Sequence, residues 1–203
     1  MNAWMAWTLG LAAAFIVGAC PFAVWLTRAI GRDPRSFGDG NPGAANAFRA
    51  AGSWLGAAVL VLDVAKGWVP GYFALRHIST NWPLAALAAA LPVYGHRFSP
   101  FLRGRGGIGL ASWMGSVAGF LGPLAAGLLG CGFACGLAIR RVERSRTVAL
   151  GAAVLLIGIT AFPQVLWPVW QVHSVWPARL FWLLTAPLVW WGYRVRNVRR
   201  KEV

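Results

Sequence analysis

Long, uninterrupted apolar stretches constrain this chain more than any other feature. Residues 4–26 contain no charge, and residues 53–75 contain only Asp63 and Lys66. About 20 apolar residues in a row are enough to cross the hydrocarbon core of a bilayer. Further apolar windows fall at 82–94, 110–139, 148–166 and 176–193. Charged residues make up 12% of the 203, where a soluble domain carries roughly a quarter, so a soluble enzyme is excluded. A transmembrane β-barrel is excluded as well, because its strands need apolar–polar alternation and these runs are continuous. The expected fold is all-α, a polytopic membrane helix bundle forming one domain over 1–203. No basic residue precedes the first run, which reads as a retained span and not as a removable signal.

Charge sets the expected orientation. Lys and Arg total 19 against 5 Asp and Glu, a net charge of +14. In a membrane chain such an excess speaks for topology and anionic headgroups, and no nucleic-acid partner is expected. Sixteen of the 19 lie in four polar segments, 27–52, 95–109, 140–147 and the tail 194–203. The positive-inside rule puts all four in the cytoplasm and the N-terminus outside. That holds only if 110–139 crosses twice, with a turn at Gly119–Pro123, which gives seven passes. The first arm of that pair is short for a full span, so it is expected to be tilted, re-entrant or packed inside the bundle. Cys20, Cys131 and Cys135 all lie in apolar stretches, so neither a disulfide framework nor a metal site is expected.

Three polar stretches carry the chemistry. The first is Gly38-Asp39-Gly40-Asn41-Pro42-Gly43-Ala44-Ala45-Asn46-Ala47-Phe48-Arg49. Its glycines allow backbone N–H groups to converge as an anion nest, and Arg49 can grip two phosphate oxygens. As bare composition it is equally a turn-rich connection between spans. The second is Leu62-Asp63-Val64-Ala65-Lys66-Gly67, inside an apolar run. Charges there are costly, and the i, i+3 spacing lets Asp63 and Lys66 neutralise each other as a structural ion pair. The third, residues 95–109, holds His96, Arg103, Arg105, Gly104, Gly106, Gly107 and Gly109. It reads as another phosphate cradle at a helix start, with His96 as a conceivable general base or simply a hydrogen-bonded structural residue. His77 and His173 fall on the outer side, away from these loops. No serine elbow, zinc motif or P-loop is present. The residues alone point to an enzyme or binder for a phosphorylated, lipid-linked substrate.

In this order and in a chain of this length, the three stretches resemble the bacterial acyl-phosphate-dependent glycerol-3-phosphate acyltransferases. That family carries G-S-x-N-P/I-G-A-T-N-x-x-R, L-D-x-x-K-G and G-H-x-F…K-G-G-K-G-x-A-T. Here they read GDGNPGAANAFR, LDVAKG and GHRFSPFLRGRGGIGLAS. The resemblance implies a bacterial inner-membrane enzyme without a cofactor. It moves an acyl chain from acyl phosphate to glycerol 3-phosphate and makes lysophosphatidic acid for phospholipid synthesis. It also implies phosphate binding by Gly40, Asn41, Gly43, Asn46, Arg49, Arg105, Gly106, Gly107, Gly109 and Ser112, with Asn197 from a faint last motif and His96 as the catalytic candidate. Several positions depart from the pattern. Asp39 stands at a serine, Ala45 at a threonine, Ile108 at the second lysine, Ala149 and Ala152 at two serines, and Arg194 at a histidine. Arg103, Arg105 and Arg194 are the cations nearest in sequence that can compensate. The competing reading is a catalytically silent relative that binds or transports lipid.

Overall fold

In a computed structural model the chain is a bundle of helices; the structure describes residues 2–78, 81–139, 143–161 and 175–201. Among these, α1 spans Ala3–Ala19, α2 Phe22–Arg28, α3 Ala44–His77, α4 Trp82–Arg97, α5 Leu110–Phe120, α6 Pro123–Ala138, α7 Arg144–Ala161 and α8 Trp176–Lys201. Two 3-10 turns, Pro34–Ser36 and Pro100–Leu102, sit in the loops. The helices α3 and α7 are each long and apolar enough to cross a membrane alone, and the bent pair α1–α2 makes a third such unit. Counting that pair once gives seven helical segments among the described residues.

Several boundaries differ from the apolar windows. The first window is not one helix: it breaks at Cys20–Pro21 and bends by 44°. Pro21 has no N–H to continue the ladder and its ring disfavours helix in the preceding residue. The break leaves two carbonyls open, and both are taken by later parts of the chain. Cys20 O accepts from Lys66 Nζ at 2.8 Å and Ala19 O from Ser99 Oγ at 2.6 Å. Helix α3 begins nine residues before its window, at Ala44, and its first two turns are set off from the rest by Gly52 (φ 80°). Asn46 and Arg49 are therefore helical residues and not loop residues. Gly95 and His96 are likewise in the last turn of α4. The tail continues α8 as helix to Lys201, so the polarity of 194–201 does not mark where the helix stops.

The short arm at 110–120 is packed inside the bundle. Its residues Ser112, Trp113, Gly115, Ser116, Val117, Gly119 and Phe120 are buried. Glycine makes this possible. A Cβ on Gly67 would lie 2.0 Å from Ser112 O, and one on Gly115 2.0 Å from Val64 O. At Gly119 the corresponding distance is 2.2 Å to Trp68 O. The helices α3 and α5 thus meet backbone to backbone, the close approach that small residues four apart permit in membranes. Ser116 Oγ adds a bond to Gly67 O at 3.4 Å. A Cβ on Gly18 would lie 2.3 Å from the Cα of Pro92, which shows that α1 and α4 approach in the same way. The remaining core is larger: Phe120, Phe181, Leu129 and Leu155 fill the space between α5, α6, α7 and α8. At the loop end, Arg35 and Arg28 bond to Asp33 and hold its carboxyl well below the usual carboxylate range, Arg35 contributing most.

Candidate active site

The three sequence stretches and the last helix converge at one end of the bundle. The first loop turns at Gly38 (φ 58°) and Gly40 (φ 68°), where any side chain strains the backbone. Gly43 then caps α3. A Cβ on Gly38 would lie 2.5 Å from Asn46 Oδ1 and 2.8 Å from Arg49 Nη1, so the loop folds directly over the first turns of its own helix. Asp39 Oδ1 accepts from the amide of Asn41 at 3.1 Å and from Asn46 Nδ2 at 2.9 Å. Asn46 also donates to Asn41 O at 3.0 Å. Asn46 Oδ1 accepts from Arg49 Nη1 at 2.6 Å, which fixes one end of an otherwise exposed guanidinium. The carboxylate at 39 is thus built into the loop, and Arg144 Nη1 lies 4.0 Å from its other oxygen. Its charge is balanced from within.

The second loop is joined to the first. Asn41 Oδ1 accepts from the amide of Ile108 at 3.0 Å. The amides of Gly106 and Gly107 turn inward, to Arg97 O at 3.1 Å and His96 O at 3.0 Å. This corrects the expectation that they form the cradle: they give the loop its shape and donate nothing outward. Glycine is needed there because a Cβ would lie 2.0 Å from His96 O at Gly106 and 2.1 Å from His96 Nε2 at Gly107. The backbone donors that remain lie at helix starts. Gly109 (φ 90°) caps α5 and Gly43 caps α3, and the first amides of any helix lack a partner within it. Arg105 is exposed on the loop surface. Ile108 is 2% exposed and belongs to the core.

Beneath the second loop lies a buried polar cluster. Lys66 Nζ is 2.7 Å from Asp63 Oδ1, and both side chains are 2% exposed. That ammonium also meets Cys20 O and lies 5.5 Å from the Phe22 ring. His96 Nδ1 faces Ser112 Oγ at 3.4 Å and Asp63 Oδ1 at 3.9 Å. Ser, His and Asp therefore meet, but on the same ring nitrogen. A nucleophilic relay needs the hydroxyl and the carboxylate on opposite nitrogens, so Ser112 is no activated nucleophile. Nε2 lies against Gly107, and His96 is 7% exposed. In this arrangement both nitrogens are enclosed, and the ring braces the glycine loop.

Other expected positions lie elsewhere. Arg194, the anticipated substitute cation, sits over the Trp190 ring at 5.3 Å, and Arg196 is the residue that reaches the loops. Asn197 lies on α8 with its side chain outside the described residues, and His173 is outside them altogether. His77 stacks on Phe73 at the far end of α3. Among the described residues no group of His, Cys, Asp and Glu is arranged to hold a metal ion, and the three cysteines are free.

Relatives of known kind share this architecture. A family model described as glycerol-3-phosphate acyltransferase matches residues 8–201. Glycerol-3-phosphate acyltransferase 1 of Deinococcus radiodurans is 34% identical over 194 residues, covering 96% of this chain and 91% of that protein. A glycerol-3-phosphate acyltransferase of Thermus thermophilus is 34% identical over 198 residues, covering 97% and 91%. Among solved structures, the crystal structure of PlsY (YgiH), an integral membrane glycerol 3-phosphate acyltransferase, in its glycerol 3-phosphate form superposes with a TM-score of 0.76 at 23% identity. The match covers 96% of this chain and 91% of that one. The fold is the same integral-membrane helix bundle.

Proposed function

This chain belongs to the glycerol-3-phosphate acyltransferase family, and from that membership we propose that it transfers an acyl group from acyl phosphate to glycerol 3-phosphate, giving lysophosphatidic acid and inorganic phosphate. The observation that carries the reading is the bond from the Ile108 amide to Asn41 Oδ1. It locks two glycine loops, each next to a helix start, into one anion-binding face. Two phosphorylated substrates can be held there side by side. The acceptor hydroxyl oxygen then forms its bond to the acyl carbonyl carbon while the bond from that carbon to the phosphate oxygen breaks. Holding the reactants in contact supplies most of the rate, and helix-start amides and arginines stabilise the oxyanion. The enclosure of His96 supports a positioning role for it, so the hydroxyl proton passes to a phosphate oxygen of a substrate.

Within this reading Arg49, Asn41, Arg105 and the α3 and α5 helix starts bind phosphate, the buried Asn46 orients Arg49 and ties the first loop to its helix, Gly40 and Gly43 shape that loop, and Asp63 and Lys66 support the second from below. Arg49 gives the direct test. Its fork is oriented by Asn46 and exposed, and lysine lacks the planar pair of donors. Arg49→Lys is expected to insert normally and to bind glycerol 3-phosphate or acyl phosphate at least tenfold more weakly, about 1.4 kcal/mol. Titration calorimetry on both proteins measures this, alongside lysophosphatidic acid formation by the wild type. A wild type that binds both ligands and turns over neither is the silent relative.

The loop end is assigned to the cytoplasmic face of a bacterial inner membrane, with the N-terminus outside. Arg28, Arg32, Arg35, Arg49, Arg97, Arg105, Arg144 and Arg196 all lie at that end or in its loops, while His77 ends α3 opposite. In a cysteine-free background, a cysteine replacing Arg105 should react with an impermeant maleimide only in inverted vesicles, and one replacing His77 only in intact cells. The reverse labelling overturns the orientation.

A further inference from the structure

The two loops are also held from a third side. Arg196, on α8, donates from Nη1 to Asp39 O at 3.4 Å and from Nη2 to Gly106 O at 3.1 Å. One planar side chain thus spans the backbone of both loops. Gly192, one turn earlier on the same helix face, lies against the same loop. A Cβ there would lie 3.4 Å from Ile108 Cγ2, so α8 rests directly on the second loop. Arg97 lies over the Trp191 ring at 4.9 Å and ties the same turn of α8 to the end of α4. Both terminal nitrogens of the Arg196 fork serve main-chain carbonyls, which suits a brace between loops better than a phosphate ligand.

We propose that Arg196 is a positioning residue that sets the distance and angle between the two phosphate-holding loops. The inference rests on the acyl-transfer reading above. Each loop keeps its own donors when Arg196 is changed, so each phosphate is still bound. What is lost is the alignment that brings the acceptor hydroxyl within about 3–3.5 Å of the acyl carbon. Lysine carries a point charge and does not reproduce the fork. Loss of the brace therefore lowers kcat and leaves both KM values nearly unchanged, provided chemistry is slower than substrate release.

The test uses the full chain in detergent and in liposomes. Initial rates of lysophosphatidic acid formation are measured for wild type and Arg196→Lys, varying acyl phosphate and glycerol 3-phosphate in turn. The expected result is a kcat about tenfold lower or more, with each KM within about threefold. A raised KM with unchanged kcat would make Arg196 a direct phosphate ligand and overturn the proposal; unchanged kinetics overturn it too. Pulsed electron–electron distances between spin labels at positions 45 and 105, with Cys20, Cys131 and Cys135 replaced by alanine, report the loop separation without turnover. A narrow distribution in wild type and a broad or shifted one in Arg196→Lys are expected, and identical distributions refute the brace. If the wild type makes no product, the acyl-transfer reading fails while the distances still decide the brace. If Arg196→Lys does not insert, Arg196→Gln, which keeps a donor for one carbonyl, is measured in its place.

Discussion

Asp63→Leu alone should destabilise the protein by about 3–5 kcal/mol, the usual consequence of stranding one charge of a buried pair. Lys66 would keep Cys20 O and the Phe22 ring but lose the anion 2.7 Å away. The paired change Asp63→Leu with Lys66→Met should recover a large part of that loss, since no bare charge remains in the core. Thermal unfolding of the purified variants in one detergent measures both. Equal stability of wild type and the single variant would show that the pair does not support the bundle. Lys66→Met that stays fully stable and loses all turnover would move Lys66 into substrate contact.

The second large effect is expected at Gly107. Alanine there places a methyl 2.1 Å from His96 Nε2 and 2.9 Å from its Cδ2. The ring has little room to give way, because it is buried and its other nitrogen faces Ser112 at 3.4 Å. The loop must move instead, by on the order of 1 Å, and a displacement of that size at a reacting centre costs about 100-fold in rate. Gly107→Ala should therefore lose about 100-fold in kcat/KM while remaining folded. Gly127→Ala serves as the control, since nothing lies within 4 Å of a Cβ at that position, and it should keep wild-type activity. Activity within about threefold of wild type in Gly107→Ala would remove His96 and its loop from the working site.

How much of this was legible in the residues depends on what kind of information each feature carries. The bundle, its two helices within 110–138 and the gathering of basic loops at one end follow from apolar run length and charge placement, which are local. The break at Pro21 was also available, because proline after a helical run forbids continuation. It was hidden by the apolarity of both halves. The four-residue spacing of Gly67 with Gly71 and of Gly115 with Gly119 is visible too, but spacing does not say that these two pairs face each other. The same limit applies to the site. Asn41, Asn46 and Arg49 could be picked out as one motif, and they are joined by bonds over short stretches of chain. Arg196 could not be separated from Arg194 by sequence. The two differ only in which way they leave α8, one toward Trp190 and the other toward the loops. The inward turn of the Gly106 and Gly107 amides was likewise out of reach, since it depends on where α4 ends.

The open carbonyls at the end of α1 have a consequence for biosynthesis. Lys66 is made 46 residues after the oxygen that receives it at Cys20, and Ser99 is made 80 residues after Ala19. Ser116 likewise follows its acceptor at Gly67. Tyr94 and Arg32 run the other way, with their acceptors at Leu184 and Ala50 arriving later. During synthesis, then, the first helix pair enters the bilayer with its acceptors ready, and each of these three polar side chains meets a partner already in place. An ammonium alone in the middle of a membrane helix costs about 2.5–3.5 kcal/mol on insertion. A chain deprived of its first 20 residues should leave Lys66 with Asp63 alone to relieve that cost, and α3 should insert less efficiently than in the full chain.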